Sequence, residues 1–196
     1  MARTVGSSGA KTADAIRAAG VDLIYRHGFE AMSLRQLAAE VGLQPGSLYK
    51  YFDTKQSLLF DIVREHMETL LRKLGEALEG VEGPEARLRA FVAFHLSYHM
   101  RLKELVFIAQ SEIRSLEPAN RAAVVALRRR YEAVLEEILE AGRGAGLFRN
   151  ADVHVTAFAI LAMLTGICQW YRPDGRLGED ELVATHVALV MDGVRA

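Results

Sequence analysis

Between Ser33 and Lys55 apolar and polar positions alternate in a way that predicts a helix, a tight turn and a second short helix. Leu34, Leu37, Ala38 and Val41 fall at i, i+3, i+4 and i+7, the spacing of one helix face. Ser33 with Gln36 three residues on is a capping-box pair that marks the start. Gly42 marks the stop, because a residue just past a helix end often needs the left-handed backbone that glycine adopts freely. Pro45 suits the first turn of the next helix, where no backbone N–H is required. Leu48 and Phe52, four apart, then face inward along a helix of about two turns.

The rest of the chain carries helical spacing with clear breaks and no strand-like alternation, so the fold class is all-α. A first helix is predicted from Lys11 to near His27-Gly28, with Ile16, Ala19, Leu23 and Ile24 inward. Asp53-Thr54 opens a fourth, whose stripe runs from Leu58 and Leu59 through Met67 and Leu70 to Leu78, a rod about 30 Å long. After the break Gly80–Pro84, a fifth helix reaches about Met100 with Leu88, Phe91, Val92, His95, Tyr98 and His99 near one side; Leu102–Ile113 is a sixth. Leu116-Glu117-Pro118 breaks the chain before a seventh, Ala119–Ala141, ended by Gly142, Gly144 and Gly146. Asp152 is a ready N-cap for an eighth, in which Val155–Cys168 has no charge. Those fourteen residues are fewer than the roughly 20 that span a bilayer, so the expectation is a soluble helix buried on several sides. Its Ala157, Ala159, Ala162 and Gly166 allow a partner helix close approach. Arg172-Pro173-Asp174-Gly175 turns the chain into a ninth helix, Glu179–Val194. Two apolar helices at the end, with no further chain to cover them, predict self-association.

Charge and composition narrow the setting. The net charge of −1 argues against general coating of nucleic acid, yet residues 1–55 sum to +2 and the remainder to −3, which gives a slightly basic head on an acidic body. The single cysteine, Cys168, excludes an internal disulfide and reads as an inert core thiol. Met1–Ala10 is polar and glycine-serine rich, unlike an export signal, so a reducing cytoplasm is the expected location. Met1–Gly9, with Arg3 and Thr4, is expected to be a mobile tail or an arm towards a nucleic-acid backbone.

The outer side of the second short helix offers Ser47, Tyr49, Lys50 and Tyr51, with Gln44 before it. A short helix carrying hydroxyls, an amide and a cation suits the major groove of duplex DNA, where such groups reach phosphates and base edges. Lys55 sits in the first turn of the fourth helix, beside backbone N–H groups with no helical partner, and is placed to meet a phosphate.

From about Ala13 to Leu59 the chain resembles the DNA-binding domain of the TetR family of transcriptional regulators. The matching residues are Gly28-Phe29, Ser33, the run Gly42-Leu43-Gln44-Pro45-Gly46-Ser47-Leu48-Tyr49-Lys50-Tyr51-Phe52, and Lys55-Gln56-Ser57-Leu58. One departure is Gln44, where the family usually has Ser or Thr; glutamine is a poor N-cap. The resemblance implies a nine-helix fold with a helix-turn-helix domain at 1–54 and a ligand-binding and dimerisation domain at 55–196. It also implies DNA contacts at Ser33, Gln44, Ser47, Tyr49, Lys50, Tyr51 and Lys55, a near-palindromic double-stranded operator, and a homodimer through the last two helices.

Catalytic chemistry finds no support: there is no nucleophile elbow, no phosphate-binding glycine loop and no His-x-x-x-His with a flanking glutamate. No cofactor is expected. His95 and His99, at i and i+4, could in principle bind zinc but lack a carboxylate or cysteine at set spacing, so they read as polar lining or partly buried core. Arg128-Arg129-Arg130 reads as a solvated face. His66, Met67, His95, Tyr98, His99, Gln110, Thr165, Gln169 and Trp170 are the few polar or soft groups among many apolar ones and are the candidates for a small-molecule effector. The segment Cys168–Gly175 is similar to one in TetR-type regulators of fatty-acid, steroid and aromatic-acid breakdown, which implies an acyl or acyl-CoA effector with Arg172 near its head group. Two other readings stay open: a DNA-binding regulator controlled by a protein partner, and a helical lipid-binding protein or enzyme.

Overall fold

The stops and caps divide the chain into helices in the computed structural model, which describes residues 7–149 and 151–196. They are α1 (Ser7–His27), α2 (Leu34–Glu40), α3 (Pro45–Leu48), α4 (Lys55–Leu78), α5 (Pro84–Arg101), α6 (Lys103–Ser111), a 3-10 turn (Glu112–Ser115), α7 (Pro118–Gly144), α8 (Val153–Thr165), α9 (Ile167–Trp170) and α10 (Glu179–Val194). All nine expected helices are present among the described residues; α9 is the last turn of the expected eighth, set off by Gly166. Helix α1 begins one turn earlier than expected, at Ser7. The rest of the expected arm, including Arg3 and Thr4, lies outside the described residues.

Two compact units result: residues up to His66 with Glu104–Val125, and Met67–Lys103 with Ala126–Ala196. The first is larger than the expected head, 1–54. Its core joins Ile16, Ile24, Phe29, Leu37, Leu48, Leu58 and Leu59 to Ile108, Ala109, Leu116 and Val124. Three short helices cannot bury enough apolar surface alone, and here α6 and the start of α7 supply the missing wall as well as α4. Helices α1 and α4 approach closely at Gly20, where a Cβ would lie 3.3 Å from Ile62 Cδ1 and 3.4 Å from Leu58 Cδ2.

In the second unit α5 lies against α8, α9 and α10 and buries Leu88, Phe91, Val92 and Leu96. Of the three glycines expected to end α7, Gly146 is the left-handed residue, at φ +71°, and the helix runs to Gly144 rather than to about Ala141. Gly142 instead makes room for Phe148: a Cβ there would overlap the ring. Asp152 caps α8 as expected, accepting from Val155 N at 2.9 Å. Helix α8 is not buried on several sides, because Val155, Phe158 and Met163 are exposed while Ala157, Ile160 and Leu164 face inward. The window Val153–Trp170 is long and apolar enough to cross a bilayer by length and composition, so the run of uncharged residues understates its apolar length. Its inner face is nevertheless packed into this unit.

Candidate functional site

Each part of the 33–55 segment is positioned by local bonds. Ser33 N donates to Gln36 Oε1 at 3.0 Å and Gln36 N donates to Ser33 Oγ at 3.2 Å, which closes the capping box of α2. Ser33 is thereby occupied at the helix start. Gly42 has φ +68°, so α2 ends where the glycine was read to end it. Gln44 occupies the N-cap position of α3 with φ −69° and ψ 140°, and its side chain makes no cap bond. The helix it precedes is one turn, Pro45–Leu48, not two; Tyr49–Tyr51 continue as a turn in which Tyr51 N donates to Leu48 O at 2.9 Å. Gly46 and Ser47 are weak helix formers and there is no cap to offset them, which accounts for the short element.

Gln44, Tyr49 and Lys50 are exposed, Tyr49 at 54%. Ser47 is half-buried, and Tyr51 packs against the first unit's core rather than standing free. Lys55 has partners within the unit. Its Nζ donates to Glu30 O at 3.0 Å and sits 4.4 Å from the centre of the Phe29 ring, so it ties down the loop between α1 and α2. At the start of α4, Ser57 N donates to Thr54 Oγ1 at 2.9 Å and Thr54 N to Ser57 Oγ at 3.1 Å, so one first-turn amide of the helix is engaged.

The remaining cations of this unit sort themselves by partner. Arg17 is held by Asp14, Asp61 and Glu65, and Arg26 by Asp22. Arg35 on α2 and Lys50 after α3 are exposed with no bonded partner among the described residues, so they are the charges of the helix-turn-helix available to phosphate. Sequence reasoning missed Arg35. Its position two residues after the capping Ser33, on the side of α2 opposite buried Leu37, was the signal.

In the second unit four of the candidate effector residues meet. His95 is buried, with Nδ1 3.0 Å from Tyr131 Oη and Nε2 3.2 Å from Thr165 Oγ1. His99 stacks on it at 3.7 Å between ring centres, and its Nδ1–H donates to His95 O at 2.7 Å. Tyr98 packs edge-on against His99. Burial lowers the His95 pKa well below the ordinary imidazole value, helped by His99, and pushes His99 down to about 4, so both rings are neutral near pH 7. Burial likewise pushes the Tyr98 hydroxyl up to about 12 and the Cys168 thiol to about 11, which makes the thiol inert.

The other candidates lie elsewhere. Gln110 is exposed on α6 and belongs to the first unit, as does buried His66. Met67 is buried on α4. Gln169 and Trp170 are exposed on α9, where Trp170 stacks over His186 at 6.2 Å. Arg172 and Arg176 in the following loop are exposed and have no bonded partner among the described residues. A separate groove of about 410 Å³, missed in the sequence, is lined by Leu71, Leu74 and Leu78 of α4 and Val134 of α7, with Arg87, Glu79 and Glu137 among its polar groups. Among the described residues no three His, Cys, Asp or Glu side chains gather as a metal set.

Residues 16–62 match the domain described as bacterial regulatory proteins, tetR family, and residues 81–194 the tetracyclin repressor-like C-terminal domain. The chain is 30% identical over 194 residues to the transcriptional repressor KstR2 of Rhodococcus jostii RHA1, covering 97% of this chain and 94% of that one. This protein belongs to the TetR family. It is a DNA-binding transcriptional regulator and not an enzyme. Among solved structures it resembles the TetR-family regulator PfmR of Thermus thermophilus, with TM-score 0.82 and 32% identity over 90% of this chain and 97% of that one. It also resembles AibR, solved with isovaleryl coenzyme A and operator DNA, with TM-score 0.85 and 28% identity over 91% and 97% of the two chains. The matched helix-turn-helix domain, residues 16–62, contains α2 and α3 with their exposed groups.

Proposed function

We propose that this regulator is a cytoplasmic, homodimeric repressor that binds a near-palindromic operator and leaves it when an acyl-CoA-type effector binds. The observation that carries the dimer is the bare apolar side of the last two long helices: Val155, Phe158 and Met163 on α8 and Leu189 on α10 are exposed in the single chain. A two-fold pair burying these faces would present two reading heads, which reach successive major grooves when they lie about 34–36 Å apart. Within each head Arg35 and Lys50 contact phosphate, Tyr49 and Tyr51 phosphate or base, and Gln44 and Ser47 base or backbone. Lys55 and Ser33 act by holding the backbone that carries them.

The acyl-CoA class is supported by AibR, whose structure holds isovaleryl coenzyme A. In this chain His95, Tyr98, His99 and Thr165, with Met67, orient the effector's buried end; Gln169, Trp170 and the exposed Arg172 stand at the outer end, where a coenzyme's phosphates need cations. Gln110 takes no part, being exposed on α6 in the first unit. A hundredfold loss of operator affinity requires about 2.7 kcal/mol of preference for the DNA-incompetent arrangement. Helix α4 is the element able to express it, since it carries Lys55 and Gln56 in the first unit and Leu70 and Leu74 in the second.

Titration of the operator complex with isovaleryl-CoA, longer acyl-CoAs and the free acids tests the effector. A thioester should lower affinity where its acid does not; if no member of the panel does so, control by a protein partner becomes the better reading. Sedimentation tests the dimer. Phe158→Glu with Met163→Glu should give monomer and lose specific binding, and an unchanged dimer would exclude this face. Gly166 is a poorer target, because a side chain there meets Met163 O at 3.2 Å within its own chain segment.

A further inference from the structure

The loop between α1 and α2 is held from two directions within the first unit. On one side is Lys55, as described. On the other, Phe29 N donates to Glu112 Oε1 at 3.2 Å, across 83 residues of sequence, while Ser115 Oγ donates to Glu112 Oε2 at 2.8 Å. Gly28, at φ +80°, lets the chain turn beside that carboxylate: a Cβ would point at Glu112 Oε1 from 4.0 Å. At the start of α4, Gln56 spends both ends of its amide on the same segment. Its Nε2 donates to Ser115 O at 2.7 Å and its Oε1 accepts from Glu117 N at 3.3 Å. An edge-on contact of Tyr25 with Phe107, centres 5.4 Å apart, ties α1 directly to α6.

We propose that Glu112 and Gln56 are positioning residues for DNA binding: they fix the α1–α2 loop and the start of α4 on the 3-10 turn, and thereby set the presentation of α2 and α3. A plain packing role would be met by apolar side chains, yet these two satisfy backbone groups at named distances. The carboxylate is the stronger of the two anchors, because a bond to an ionised acceptor exceeds one between neutral groups. The same turn follows α6, which joins α5 through the single residue Leu102, at φ −117° and ψ 35°. The inference requires only that the chain bind DNA and is independent of the effector class.

The test uses the full chain and a duplex selected from a random-sequence pool by the unaltered protein. Glu112→Ala should weaken binding by about tenfold or more and lower the slope of log affinity against log salt, because a mispresented head loses phosphate contacts. Simple loss of folded protein would lower the active fraction and leave that slope alone. Glu112→Gln keeps an acceptor for Phe29 N and should stay close to the unaltered protein. Exchange of the Phe29 amide should quicken in the Ala variant only. If Glu112→Ala does not fold, Gln56→Ala takes its place with the same expected loss and slope change. Unchanged affinity and slope in the variant that folds, or equal losses for Ala and Gln at 112, would overturn the assignment.

Discussion

The two units spend their polar side chains differently. In the first, Ser33, Gln36, Thr54, Ser57, Lys55, Gln56 and Glu112 all bond backbone groups, at helix starts or across a loop. In the second, the buried polar set is centred on His95, whose two ring nitrogens meet the side chains of Tyr131 and Thr165, 36 and 70 residues away. One arrangement fixes the shape of a surface for another molecule to read. The other hides neutral hydrogen-bonding groups inside the body of the unit.

Core damage should therefore have separable consequences in the two units. Leu48 has no exposed surface, and Leu48→Ala should cost about 2–5 kcal/mol, quicken amide exchange in α1–α3 and abolish DNA binding. Gly142→Ala forces the Phe148 ring to move and should cost about 1–3 kcal/mol, with faster exchange concentrated at the end of α7 and around Phe148. Exchange measured by mass spectrometry on both variants decides it. Equal protection losses in both units for both variants would mean that the division has no energetic content.

The same contrast governs what could be read from the sequence. Ser33–Gln36, the Gly42 stop and the Asp152 cap were legible because the partners lie three or so residues apart and the bond follows from helix geometry. The outer side of the turn and short helix was legible in part: Gln44, Tyr49 and Lys50 are exposed, whereas Ser47 is half-buried and Tyr51 packs against the core. For Lys55 the sequence offered only a cation at a helix start; nothing in the spacing reveals that Glu30 O and the Phe29 ring lie beside it. The glycine run was legible as a stop, but nothing local distinguished Gly142, whose role depends on Phe148 folding back onto it. Tyr131 is a main partner of His95 but lies 36 residues away with no local spacing to reveal it, and the wall that α6 adds to the first unit was not foreseen at all.

Acidification should sharpen the difference next. The folded pKa of His99 is depressed to about 4 by burial, and that of His95 lies well below the ordinary imidazole value. Their contribution to stability is complete above the unfolded value of about 6.5 and is lost as pH falls towards the folded values, at up to about 1.4 kcal/mol per pH unit for each ring. Thermal midpoints should therefore fall between about pH 6.5 and 4. His99→Leu should reduce the slope of that fall while leaving operator binding at neutral pH unaltered. A midpoint equally steep in the variant would show that His99 does not bear the acid sensitivity.

The smallest effect expected is at Gln44, where stability and sequence preference should move in opposite directions. Gln44 has the extended backbone of an N-cap but contributes no cap bond, and α3 is only one turn long. Serine has the side chain that fits this position, so Gln44→Ser should stabilise the first unit by about 0.5–1 kcal/mol and raise its denaturation midpoint slightly. The glutamine amide, left free by the missing cap bond and exposed, is able to pair with the N6 and N7 edge of adenine in the major groove. Serine cannot make that paired contact. Binding measured against duplexes substituted one base pair at a time should therefore lose discrimination at a single position per half-site, worth about 1–3 kcal/mol, with the salt slope unchanged. A more stable variant with its base preferences intact would leave Gln44 as a missing cap and nothing more; a variant that changes the salt slope would place the residue on phosphate instead.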